Sequence, residues 1–124
     1  MRMSERVKQI IELNLVNYYI PLVVGNGHVF PMYYGRIMEE NLIAFPVTNA
    51  TGIADVLKET SPAYAMVADR EGGYEAYLLR GKARYVTQEL DYDLISIMQN
   101  VVPGFPIHGA VIMEVEGEHL TPPP

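Results

Sequence analysis

Arg80, Lys82 and Arg84 stand at alternate positions of one β-compatible run, residues 74–86, YEAYLLRGKARYV. Successive side chains of a strand point to opposite sides, so the three cations share one face. The other face receives Tyr77, Leu79, Gly81, Ala83 and Tyr85, a surface fit for a core. The whole chain has nine Lys and Arg and a formal net charge of −6, so this strand concentrates a third of its positive charge. Such a stripe can bind an anionic ligand, or it can be a solvated face that pairs with Glu and Asp of neighbouring strands. The pattern alone favours the second. Other chemistry finds little support. Ser4, Ser61 and Ser96 sit in no nucleophile-elbow context. His28, His108 and His119 lack metal-ligand spacing, and Glu39-Glu40 and Asp91/Asp93 read as turn and helix-surface charges. Gly25-Asn26-Gly27 is a hairpin signal, not a phosphate-binding glycine loop. With no cysteine there is no disulfide, no cysteine-ligated cluster and no thiol catalysis. Any redox chemistry must come from a cofactor.

Composition limits what positions these residues. A chain of 124 residues, 49% apolar and 19% charged, is one globular domain, residues 1–124. No apolar run is long enough to cross a bilayer, and MRMSERVKQ does not read as a signal peptide, so a cytoplasmic location is expected. A pI near 4.9 argues against a nucleic-acid partner.

Ser4 reads as an N-cap, with Val7, Ile10, Ile11 and Leu15 at helical spacing behind it, which predicts a helix over residues 5–14 within an N-terminal segment 1–15. Strands are predicted at residues 18–24, 28–34, 41–47, 63–68, 74–86 and 110–115. Thr48-Asn49-Ala50-Thr51 leads into Ile53, Val56 and Leu57, a short capped helix ending near Glu59. Thr87 caps a third helix through about Asn100, with Leu90, Leu94, Ile97 and Met98 on one side. Residues 118–124, ending in three prolines, are expected to be an extended tail. Hairpin turns dominate, which predicts a mainly β fold: six antiparallel strands in a small barrel with three short helices.

The arrangement resembles the FMN-binding split β-barrel proteins, related to pyridoxamine 5′-phosphate oxidase and to small bacterial flavoproteins. The likeness is carried by residues 42–49 (LIAFPVTN), by residues 76–85 with Gly81 flanked by basic residues, and by Gly104-Phe105-Pro106 followed by residues 109–115. It covers roughly residues 15 to 120. The resemblance implies FMN at a homodimer interface, with Pro46, Val47, Thr48, Asn49 and Thr51 around the phosphate turn and Arg80 or Lys82 as charge partner. A helix N-terminus offers unpaired N–H groups to an anion there, although Asn49 or Thr51 could simply cap the helix. Met32, Tyr33 and Tyr34 fall where the family lines the isoalloxazine ring. Gly52 and Ile53 depart from the pattern, standing where many relatives have Lys followed by Ser or Thr. The implied function is that of an oxidoreductase or electron carrier. Pyridoxamine-phosphate oxidation itself is not expected, because the longer substrate-binding C-terminal segment is missing. The alternative is a split-barrel binding or assembly module that has lost flavin or takes another anionic ligand.

Overall fold

The computed structural model describes residues 2–13, 20–25, 27–32, 35–47, 52–69, 75–87 and 109–121. Within them the order is α1 (Glu5–Leu13), β1 (Ile20–Val24), β2 (His28–Met32), β3 (Arg36–Glu39), β4 (Leu42–Val47), α2 (Ile53–Val56), β5 (Ser61–Ala68), β6 (Ala76–Val86) and β7 (Gly109–Thr121). The strands form one antiparallel sheet in the order β2-β1-β5-β6-β7-β4-β3. Beyond its pairing with β1, β2 approaches β4, so the two ends of the sheet curl toward each other. Of the predicted third helix only its cap residue, Thr87, is described; residues 88–100 lie outside the described residues. No described helix is long and apolar enough to cross a membrane.

Alternation builds the core. β5 reads buried at Ala63, Ala65 and Val67, and β6 at Leu79, Gly81 and Ala83. These inner faces join Phe45, Ile43, Val111, Met113 and Val115 with Met3, Val7, Ile10 and Ile11 from the helix end of the chain. Gly25 and Gly27 turn β1 into β2 with φ of 56° and 94°, a region glycine enters without steric cost.

Three elements differ from the sequence expectation: α2 is a single turn that ends at Val56, short of Glu59, with Gly52 at its N-cap and no side-chain cap, and two strands depart from their predicted number and extent. The sheet has seven strands, because RIME at β3 pairs with β4 through Arg36↔Ala44 and Ile37↔Ile43. β3 is half-buried to exposed and carries no alternation to announce it. The last strand runs to Thr121 and does not end at Val115; residues 118–121 are therefore strand, not tail. They pair with Leu79, Leu78, Tyr77 and Ala76, a partner that exists only once β6 is in place.

α1 is capped as its sequence suggests: the Val7 N–H donates to Ser4 Oγ at 3.2 Å. The Ser4 N–H in turn donates to Glu118 Oε2 of β7 at 3.1 Å, which ties the helix start to the sheet. Further along α1, Arg6 Nη2 pairs with Asp69 Oδ2 at 2.5 Å and with Glu75 Oε1 at 2.8 Å. Tyr77 donates its hydroxyl to Glu75 Oε2 at 3.2 Å. This cluster straps the helix to the ends of β5 and β6. The hydrogen bond from Arg6 holds the Glu75 carboxyl below its ordinary value of 4.5, while desolvation and the Glu75 contact push the Tyr77 phenol above 10.0.

A depressed carboxylate stabilises the fold above its unfolded pKa, and that contribution is lost as pH falls through the folded value. Glu75→Gln should therefore lower stability near neutrality and flatten the acid limb of the pH profile below about pH 4.5. Urea midpoints from pH 3 to 8 check this. Parallel curves for mutant and wild type would show that the strap adds nothing.

Candidate functional site

β6 presents the cation stripe as its alternation predicts. Arg80, Lys82 and Arg84 are exposed, Leu79, Gly81 and Ala83 are buried, and Tyr77 and Tyr85 are half-buried. The outward face is also locally acidic. Lys82 Nζ lies 3.8 Å from Glu116 Oε2, with both side chains partly exposed, and Arg80 Nη2 donates to the Glu116 carbonyl at 3.5 Å. Pairing with acids of a neighbouring strand is thus realised at one end of the stripe. It leaves anion binding open, since an exposed pair is worth only about 0–1 kcal/mol.

A β-bulge sets this arrangement. The register steps from Arg80↔Gly117 to Gly81↔Val115, which leaves Glu116 without an opposite residue on β6. Gly81 allows the approach: a Cβ there would overlap the Glu114 carbonyl oxygen. Gly117 leaves room for Arg80, whose Nη2 would lie 2.5 Å from a Cβ at that position. The sequence reading missed Glu116. The available signal was Gly117 inside a strand pattern, which marks a bulge or a close backbone approach.

The second half of the expected site starts where β4 ends. Pro46 and Val47 are buried and pair with Ala110 and Gly109. Thr48, Asn49 and Thr51 lie outside the described residues. The helix after them is a single turn whose N-cap is Gly52, at φ 88° and without a side-chain cap bond. The Tyr85 N–H donates to the Leu57 carbonyl at 3.2 Å, so the chain after α2 attaches to the far end of β6. In the sheet, Ala44, Ile112 and Arg84 share one row, three residues back from Val47. At about 3.3 Å per residue this is about 10 Å. Arg84 is thus the stripe cation nearest the β4 exit, Lys82 is further and Arg80 lies at the bulge. Met32, at the end of β2, is 5% exposed and packs in the core; Tyr33 and Tyr34 lie outside the described residues.

The outward face also carries apolar residues. Val29 of β2 pairs with Val23 of β1, Val23 with Tyr64 of β5, and Tyr64 with Arg80. Val29 is 60% exposed, and Tyr64 and Met66 are 43% exposed each. An apolar band thus runs across the sheet up to the cation stripe. Among the described residues no group of His, Cys, Asp and Glu could hold a metal ion.

No family model and no curated protein matches the chain in sequence. Its fold matches solved structures over nearly its full length. HupZ of Group A Streptococcus superposes with a TM-score of 0.72 at 17% identity, over 95% of this chain and 93% of that one. An FMN-binding protein of Syntrophomonas wolfei gives 0.65 at 16% identity, over 95% and 85%. A Clostridium acetobutylicum protein related to general stress protein 26, described as of the pyridoxinephosphate oxidase family, gives 0.64 at 13%, over 94% and 85%. The chain therefore has the split β-barrel fold of pyridoxamine 5′-phosphate oxidase-like and FMN-binding proteins.

Proposed function

We propose that this protein is a flavoprotein that binds FMN and serves as an oxidoreductase or electron carrier. The observation that carries the reading is the solvent-facing cation line of β6 on this fold. The described residues fit a phosphate-bearing group. Arg80, Lys82 and Arg84 face outward in one line, and the stripe extends toward the exit of β4. Arg80 or Lys82 would hold the phosphate by charge-assisted hydrogen bonds; the turn with Thr48, Asn49 and Thr51, nearer Arg84 at the β4 exit, is the alternative position for it. Met32, Tyr33 and Tyr34 are the candidates for the ring side, and Pro46 and Val47 lead into the phosphate turn. Bound FMN supplies hydride or single-electron transfer, which no side chain of this chain offers. The chain's own part is to grip the phosphate and shield one side of the ring.

A terminal phosphate distinguishes FMN from riboflavin, so purified protein should be yellow, release FMN on denaturation and bind riboflavin much more weakly. Colourless protein that ignores added FMN would favour the flavin-free module. The Lys82–Glu116 pair and the one-turn α2 are the features on the side of that second reading.

The same reading includes a homodimer. The apolar band through Val29, Tyr64 and Met66 is the kind of surface that a partner covers. Light scattering at micromolar concentration should give twice the mass of 13.9 kDa. A monomer there would remove the interface and weaken the flavin reading with it.

A further inference from the structure

We propose that Glu116 is an internal competitor for the ligand's anion, a carboxylate held against the Arg80–Lys82 end of the stripe that a phosphate must displace. The inference rests on the reading that the stripe receives an anion. Its physical basis is the bulge. In a regular ladder each β7 residue beside β6 would have an opposite residue, but the register step leaves Glu116 over. Its carboxylate turns to Lys82 at 3.8 Å, and its carbonyl takes Arg80 Nη2 at 3.5 Å. Gly81 and Gly117 let the strands and the Arg80 guanidinium come close enough for this.

The two contacts of Glu116 differ in kind. The carbonyl contact orients Arg80 and does not change its charge. The carboxylate contact is long for an ion pair, with side-chain exposures of 57% for Lys82 and 37% for Glu116. Water screens such a pair, so it yields to a partner that makes short bonds. A phosphate monoester, with up to two charges and three acceptor oxygens, is such a partner. Once it is displaced, Glu116 remains beside the bound anion as a like charge. The bulge thus keeps the stripe aligned while setting an upper limit on anion affinity. It also weakens capture of small single-charge anions, which gain less from displacing the carboxylate.

The test compares wild type with Glu116→Gln, which keeps the shape and removes the charge. FMN, riboflavin and inorganic phosphate are the probes. Glu116→Gln should bind FMN about threefold to tenfold more tightly at low ionic strength, and the gain should shrink in high salt. Riboflavin, which has no phosphate, should bind the variant and the wild type equally. Glu39→Gln, on β3 and three strands from β6 in the sheet, should change nothing. The gain should vanish when Arg80 and Lys82 are both alanine.

Unchanged or weaker FMN binding by Glu116→Gln, with binding still dependent on Arg80 and Lys82, would overturn the inference and leave the flavin reading standing. If wild type binds no FMN, the flavin reading falls, and phosphate decides the fate of Glu116. Phosphate-induced shifts of the Val115 and Gly117 amide resonances should then saturate at lower concentration in Glu116→Gln. Equal saturation in both proteins would make Glu116 a brace and nothing more. Coincident thermal melts show that the variant is folded.

Discussion

Gly81→Ala should destabilise the protein by about 3 kcal/mol or more, a large part of the roughly 5–15 kcal/mol that holds a domain folded. Gly81 is buried on the inner face of β6, beside the step in the β7 register. An added Cβ would overlap the Glu114 carbonyl oxygen and stand 2.9 Å from the carbon and 3.1 Å from Val115 Cα. All three are backbone atoms, so no side chain can swing away. The strands must separate, which strains the ladder in the middle of the sheet, where β6 joins β5 to β7. Overpacking alone costs about 1–3 kcal/mol, and each weakened ladder bond adds about 1 kcal/mol. Urea denaturation followed by circular dichroism measures the loss. A midpoint equal to wild type would mean that the β6–β7 ladder absorbs the added methyl without cost. The damage should extend to the site, because the same step aims Glu116 and seats Arg80.

Alanine at both Arg80 and Lys82 should weaken FMN binding by about 3–6 kcal/mol if both make charge-assisted contacts, since each is worth about 1.5–3 kcal/mol. That is a loss of a hundredfold or more. Folding stability should change by no more than about 0.5 kcal/mol per site, because both side chains are exposed. Arg84→Ala, measured separately, locates the phosphate along the stripe. A greater loss there than from the double variant would place the phosphate at the β4 exit, where Ala44, Ile112 and Arg84 share a row. Removing the surface acids Glu39 and Glu40 should leave binding unchanged; Glu40 pairs with Arg2 at 3.2 Å at the start of the chain. Should the double variant bind FMN as tightly as wild type, Arg80 and Lys82 belong to a solvated face. FMN titration by flavin fluorescence, at two salt concentrations, reads all three cases.

Where a signal lies within a few residues of chain, the sequence by itself determined the outcome. The two-sided character of β6 follows from its alternating residues, and the structure keeps Arg80, Lys82 and Arg84 outside and Leu79, Gly81 and Ala83 inside. The Ser4 cap and the glycine turn between β1 and β2 are local in the same sense, each set by backbone groups within a few residues. The mainly β, antiparallel character was likewise legible from hairpin signals.

Of the expected site, Met32, Pro46, Val47, Arg80 and Lys82 fall in described elements, while Tyr33, Tyr34, Thr48, Asn49 and Thr51 do not. The tertiary structure alone decided what depends on a partner distant in sequence. β3 is a strand because β4 offers it a ladder, although RIME has no alternation of its own. The end of β7 is ordered because β6 runs beside it as far as Ala76↔Thr121. Arg6 meets Asp69 and Glu75 across more than sixty residues of chain, a pairing that no local period announces. Glu116 reaches Lys82 only because the register slips by one residue at Gly81. Strand character is written in a period of two, whereas register is fixed by the fit of one strand against the next.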